Sequence, residues 1–303
     1  MVPAAREALR AALGDAVRFD VPLSRFTSLR VGGAAEALAS PPDREALARA
    51  LRVCAEHGLP VTLLGNGFNT LVRDGGVEGV VLRLSALRAL RREGADLVAE
   101  AGVSHASLTR HCAEHGLAGL EFAAGIPGTV GGWIAMNAGV PDREVKDVVR
   151  AVEVMEPGGE RRCLPAAALR FEYRRAAGLP GGAVVLAAAF RVRESSREQV
   201  QSEVDRHLAK RADSQPLDVP SCGSVFKNPP GDFAGRLIEA AGLKGARVGG
   251  AEISTLHANF IVNRGGATAG DVLALIERAR REVRRRSGVE LEPEVRIVGK
   301  EAA

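Results

Sequence analysis

The segment GIPGTVGGWIAMNAG, residues 125–139, places five glycines in fifteen residues. Glycine loses more backbone freedom on folding than any other residue, so a purely structural turn does not use so many. At Gly125, Gly128, Gly131 and Gly132 the chain can pass close against a flat or phosphorylated ligand, with Ile126, Pro127 and Thr129 between them. A glycine-hinged loop between elements is the structural alternative. Two other turns share the trait. LLGNGFNTLV (63–72) carries Gly65 and Gly67 straight after an apolar strand, and TSLRVGGAAE carries Gly32 and Gly33 beside Arg30, an anion partner. The 63–72 turn is not a Walker loop, because no Lys-Ser/Thr follows, nor a G-x-G-x-x-G fingerprint, because the third glycine is missing. An ordinary hairpin turn is its alternative. Together the three turns imply one extended nucleotide cofactor held by loops from several strands.

Around these turns the chain alternates strand-like and helix-like segments up to about residue 196. MVPAAREALRAALGDA reads as a short amphipathic helix, not a secretory leader. Asp43 caps a helix over Arg44–His57 that Gly58 and Pro60 end, and Ser104 caps another running to His115. Val61–Leu64, Val80–Leu84, Leu97–Ala101, Val148–Met155 and Ala183–Val192 read as strands. Ser195 and Ser196 open a charged helix to about Arg211, and QPLDVPS (215–221) breaks it. Beyond lies an α+β module: a helix Phe233–Ala241, a strand Asn259–Val262, a helix Thr268–Ser287 and a last strand Val295–Val298.

With 303 residues, 46% of them hydrophobic, the chain can bury a sizeable core in two or three domains. No apolar run approaches the ~20 residues that span a bilayer, so a soluble cytoplasmic protein with no membrane partner is expected. The net charge is +4, and only five of the 41 basic residues are lysine. Arg278, Arg280, Arg281, Arg284, Arg285 and Arg286 crowd one late helix without interleaved aromatics. That reads as a solvated face and not as a nucleic-acid stripe, so no nucleic-acid partner is expected. Cys54, Cys112, Cys163 and Cys222 form no C-x-x-C pair. His105, His111, Cys112 and His115 cluster, with His111 and His115 at i, i+4, but no carboxylate motif accompanies them and no metal is expected.

Two late segments bring reactive groups together. SCGSVFKNP (221–229) gathers Ser221, Ser224, Lys227 and Asn228, stiffened by Pro220 and Pro229. A buried lysine packed by a carboxylate is the plainer reading. In LEPEVRIVG (291–299), strand alternation puts Glu292, Glu294 and Arg296 on one face; an exposed ion pair on a terminal strand is the alternative.

TSLRVGG, LLGNGFNTLV, GIPGTVGGWIAMNAG, FEYR, QPLDVPSCGSVFKNP and LEPEVR occur in that order. The ordered set resembles the UDP-N-acetylenolpyruvoylglucosamine reductase family of bacterial peptidoglycan precursor synthesis, from about residue 20 to residue 299. The resemblance implies an α+β fold: an FAD-binding domain of the vanillyl-alcohol-oxidase type with two α+β subdomains (1–82 and 83–196), then a C-terminal α+β substrate domain (197–303). The last strand is free to pack back on the first subdomain. It also implies non-covalent FAD, NADPH as reductant, and UDP-N-acetylglucosamine enolpyruvate as substrate.

Matched residue by residue, the family's catalytic arginine falls on Arg174, its proton-donating serine on Ser224 and its glutamate on Glu294. Tyr173, Arg211, Lys227, Asn228 and Arg296 become contacts to the UDP-sugar. Arg30, Gly32, Gly33, Leu64, Gly65, Asn66, Gly67, Phe68, Asn69, Thr70, Gly125, Ile126, Pro127, Gly128, Thr129, Gly131, Gly132 and Asn137 become contacts to the cofactor. Phe68 stands where the family usually has serine, Cys222 where alanine is usual, and VPDREV follows Gly139 where Tyr-Gly is common. The short span from Pro180 to Ser196 leaves no room for an extra tyrosine-bearing loop, so the chain resembles the shorter branch. If residues 171–175 run extended, Arg174 and Arg175 point to opposite faces. The alternatives are another FAD oxidoreductase of the same fold, with its flavin linked through His or Cys, and a non-catalytic nucleotide-binding module. No His lies in 63–72 or 125–139 to make such a link.

Overall fold

The computed structural model describes residues 1–302. Helix α1 (Pro3–Leu13) opens on proline, whose missing N–H costs nothing in a first turn. Strands β1 (Val17–Pro22) and β2 (Ala34–Ala39) lead to α2 (Arg44–Glu56), where Asp43 accepts from Ala46 N at 2.7 Å. Strands β3 (Val61–Leu63), β4 (Thr70–Val72), β5 (Val77–Leu82), β6 (Leu90–Glu93) and β7 (Asp96–Glu100) precede α3 (His105–Glu114), capped by Ser104 through Ser107 N. After β8 (Leu117–Ala118) comes α4 (Val130–Met136), then β9 (Gly139–Val140), β10 (Arg143–Glu144), β11 (Val149–Met155) and β12 (Arg161–Pro165). Next are β13 (Arg170–Glu172), β14 (Arg175–Ala177), β15 (Val184–Arg191) and β16 (Arg193–Glu194), which pairs with β8. The chain ends with α5 (Arg197–Ser214), β17 (Ser221–Ser224), α6 (Ala234–Ala240), β18 (Arg247–Val248), β19 (Ala251–Ile253), β20 (Phe260–Asn263), α7 (Ala269–Ser287) and β21 (Arg296–Val298). The α+β expectation holds, and no helix is long and apolar enough to cross a membrane among the described residues.

The chain divides into two compact units. The first holds residues 1–19, 37–65 and 79–211; the second holds 20–36, 66–78 and 212–303. In the first unit, five antiparallel strands run in the order β12–β11–β15–β7–β6, and β3 pairs in parallel with β5. One core packs α3 and α4 on the larger sheet around Trp133, Phe122 and Phe190; a second gathers Leu9, Leu47, Leu51 and Leu82 from α1, α2 and β5. In the second unit, β17–β20–β19–β18 form one sheet under α6 and α7, and β21 pairs in parallel with β4. Thr268 caps α7 in a box with Asp271, and Asp74 accepts from Ala269 N and Gly270 N at 2.9 Å each. The arginines of α7 pair with Glu277, Glu282 and Glu290, as a solvated face would.

Three expectations change. The glycine-rich segment is not loop throughout: Trp133, buried and donating from Nε1 to Ala138 O at 2.9 Å, anchors α4 within it. Residues 171–175 do not run extended. Phe171 and Glu172 pair with Ala176 and Arg175, so Tyr173 and Arg174 are the two-residue turn of a hairpin. Glu292 and Glu294 precede β21, so no strand alternation relates them to Arg296.

Candidate active site

The second unit assembles three of the segments singled out above. Val225 O accepts from Glu294 N at 2.7 Å and from Val295 N at 3.2 Å, while Lys227 N donates to Glu292 O at 2.9 Å. Buried Asn259 closes the other side: its Oδ1 accepts from Phe226 N at 2.9 Å and its Nδ2 donates to Phe226 O at 2.8 Å. Ser224, paired with Phe260 at the end of β17, and Glu294 are therefore fixed by main-chain bonds to one residue, Val225. The 66–70 turn joins them. Asn69 Nδ2 donates to Glu294 O at 3.2 Å, and Arg296 N donates to Asn69 O at 3.1 Å. Phe68 O lies 3.4 Å from where a side chain on Gly223 would begin, so the turn packs on the strand that carries Ser224.

The neighbouring polar groups have defined partners. Lys227 forms an ion pair with Glu292 that is partly exposed, not the buried pair of the plainer reading. Asn228 Oδ1 accepts from Ala234 N at 3.0 Å at the start of α6. Cys222 lies in the core of the second unit, and burial pushes its thiol up to about 12, so it stays protonated and is not a reactive thiolate.

In the first unit, Arg174 sits at φ +59°, a left-handed position that non-glycine residues adopt at a cost. Its guanidinium lies 4.7 Å from the centre of the Tyr173 ring, and its Nη1 lies 3.9 Å from Glu144 Oε1. Tyr173 is largely exposed and Arg175 is exposed on β14. Arg211 is in α5, where burial disfavours its charge. Asn137, expected beside the cofactor, spends both amide hydrogens inside the protein. It is completely buried at the left-handed end of α4, and Nδ2 donates to Glu144 Oε2 and to Glu172 O at 3.0 Å each.

The glycines separate into two kinds. A side chain on Gly32 would strike Val72, one on Gly33 would strike Asp74 O, and one on Gly67 would strike Phe26 O. These three serve the second unit's own packing. Gly131 lies against Ala101 in the same way. Gly65 differs: the atom it faces is Thr129 Oγ1, at 3.0 Å, so 63–65 and 125–132 form one cradle in the first unit. Gly128, at φ +140°, lies beside His105. His105 is buried, and its Nδ1 bonds Ile126 O at 2.6 Å, which makes Nδ1 the donor and leaves Nε2 a bare acceptor. That Nε2 has no hydrogen-bond partner, and burial pushes the imidazole down to about 4, so it is neutral at pH 7. A buried acceptor without a donor is costly, and a ligand rich in hydroxyl and amine groups, such as FAD, answers it. The cradle fits the cofactor.

Sequence reasoning weighed His105 only as a metal ligand. Among the described residues no three His, Cys, Asp or Glu side chains are grouped to hold a metal. His111 and His115 instead stack on each other at 4.1 Å. Glu144 was passed over because nothing local in PDREV marks it.

Residues 215–298 match the family described as UDP-N-acetylenolpyruvoylglucosamine reductase, C-terminal domain, and residues 35–164 match the FAD binding domain family. The UDP-N-acetylenolpyruvoylglucosamine reductase of Rubrobacter xylanophilus is 49% identical over 290 residues, covering 95% of this chain and 97% of that one. That of Geobacillus kaustophilus is 45% identical over 282 residues, covering 93% of each. The crystal structure of the reductase from Thermus caldophilus superposes with a TM-score of 0.82 at 38% identity, covering 93% of this chain and 100% of that chain.

Proposed function

The chain belongs to the UDP-N-acetylenolpyruvoylglucosamine reductase family, an FAD-dependent oxidoreductase family, and on that premise we propose that Arg174, Ser224 and Glu294 divide the work of reducing an enolpyruvyl ether. When bound, FAD would supply the hydride chemistry, relaying reducing equivalents from NADPH to the terminal carbon of the substrate's double bond. The cradle of Gly65, Thr129 and Gly128, with His105 beneath, holds that cofactor non-covalently.

Addition at the terminal carbon drives an electron pair toward the substrate carboxylate, giving an enediolate. Arg174 meets that charge: its planar fork matches two carboxylate oxygens and stays cationic. Glu294 shares the load as a hydrogen-bonding partner. Ser224 then donates its hydroxyl proton to the carbon bearing the ether oxygen and carboxylate, and recovers a proton from water. A serine is a weak acid, so placement must do what acidity cannot. Tyr173, Arg211, Lys227, Asn228 and Arg296 hold the UDP-sugar, and the product is UDP-N-acetylmuramate. We place the reaction in the cytoplasm, where nucleotide-linked sugars and NADPH are found.

The observation that carries this reading is the pair of bonds from Glu294 N and Val295 N to Val225 O, which support one rigid element bearing both the acid and the carboxyl. The test is a two-step mix. The purified protein should be yellow and lose its flavin on denaturation and filtration. NADPH should bleach it without air, and the enolpyruvyl UDP-sugar should restore the colour. Flavin that stays with denatured protein, or colour that UDP-N-acetylglucosamine restores equally well, would sink the reading.

A further inference from the structure

We propose that Glu144 is a positioning residue for Arg174. Arg174 extends from the two-residue turn between β13 and β14, so its place depends on what holds that hairpin. One buried amide does so. Asn137 Nδ2 donates to Glu172 O, the last residue of β13, and to Glu144 Oε2, each at 3.0 Å. The Asn137 amide thus joins the root of the hairpin to the carboxylate that faces its tip, which also accepts from the Asp147 N–H in a capping box.

The geometry of that carboxylate is specific. Its Oε2 is taken by Asn137 and by Lys146 Nζ at 2.6 Å, while Oε1 faces Arg174 Nη1 at 3.9 Å. At 3.9 Å there is attraction between charges but no hydrogen bond. Glu144 therefore attracts the guanidinium by charge without itself accepting a hydrogen bond from it. Lys146 offsets the charge of Glu144, so the carboxylate does not repel an anionic ligand from Arg174. Glu144 touches neither substrate nor cofactor in this scheme; it acts through the arginine.

The inference rests on the role given to Arg174 above, and a double-mutant cycle separates the two. In Glu144→Gln the shape and the bond from Asn137 survive while the charge is lost. Bleaching by NADPH should be unchanged, and reoxidation by the enolpyruvyl UDP-sugar should slow about 10-fold, mostly in kcat. Glu144→Asp, which keeps the charge, should recover much of that loss. In the Arg174→Lys background, Glu144→Gln should add less than about 2-fold, because the group it aims is gone. If Arg174→Lys is slow and Glu144→Gln is not, or if the two losses multiply, Glu144 has no positioning role. If Arg174→Lys is itself as fast as wild type, the arginine's role fails and this inference fails with it. A general structural defect would slow bleaching and reoxidation together, and that result would also overturn it.

Discussion

The groups assigned to catalysis are held in two different ways. Ser224 and Glu294 rest chiefly on main-chain bonds, Val225 to Glu294 and Val295 and Lys227 to Glu292, with the Asn259 side chain closing both edges of Phe226. The supports of Arg174 include a strained turn, an aromatic ring and the Glu144 carboxylate, which is held in turn by the side chains of Asn137 and Lys146 and by the Asp147 N–H. Main-chain anchoring survives most substitutions at the residues it positions, whereas side-chain anchoring is lost with a single atom. A proton donor must be placed to within about 0.5 Å of its productive position. An electrostatic partner tolerates more slack. The two modes of support match those two demands.

The comparison is tested most strongly at Ser224. Ser224→Ala leaves the backbone frame intact, so NADPH should reduce the flavin normally while reoxidation by substrate falls ~10²–10⁴-fold, the usual worth of a positioned acid. Stopped-flow traces within a few-fold of wild type in both steps would remove the serine from the mechanism. Arg174→Lys keeps the charge and loses the fork, and kcat should drop ~10²–10³-fold with substrate affinity changed far less. Arg175→Lys, on exposed β14, is the control and should be near silent; equal losses at both positions would mean a structural hairpin.

Smaller effects probe the frames themselves. Asn259→Ala leaves the N–H and C=O of buried Phe226 without their partners, which should cost about 3 kcal/mol in urea unfolding. The first unit should be the more acid-sensitive. His105 is held near 4 against an ordinary 6.5, so its contribution is complete above pH 6.5 and lost as pH falls through that window toward 4. Between pH 7.5 and 5, wild type should lose about 2 kcal/mol more stability than His105→Asn, which does not titrate. Matching pH slopes for the two proteins would show that His105 is not buried neutral. Last, Arg174→Gly should abolish turnover yet raise stability by about 0.5–1 kcal/mol, since glycine accepts φ +59° freely. A lower melting temperature would mean that the turn is not strained.

Most helices and strands were legible because their signals are local. Asp43, Ser104 and Thr268 each cap the helix that follows, and all three cap bonds are present. Ser224 and Glu294 could be named from short motifs, but not their union, because Asn69, Val225, Asn259 and Glu294 meet only through tertiary pairing. Gly32, Gly33 and Gly131 also sit close against protein atoms, and a glycine demanded by a neighbouring backbone and one demanded by a ligand look identical in sequence. The hairpin at 170–177 was missed because its turn, Tyr-Arg, uses neither Gly nor Asn at the left-handed position. The signal was absent where strain replaced it.

The parallel pairing of β4 with β21 has a consequence for how the protein is made. Asn69 and Glu294, which that pairing brings together, are 225 residues apart in sequence. On the ribosome the 66–70 turn waits for some 225 further residues before its partner strand exists. Translation therefore sets the order of assembly: the sheet of β7, β11 and β15 can close before residues 294–298 are made, but the frame around Ser224 and Glu294 can complete only after them. A message truncated shortly before Arg296 yields a nascent chain with its motifs nearly all present and no catalytic frame.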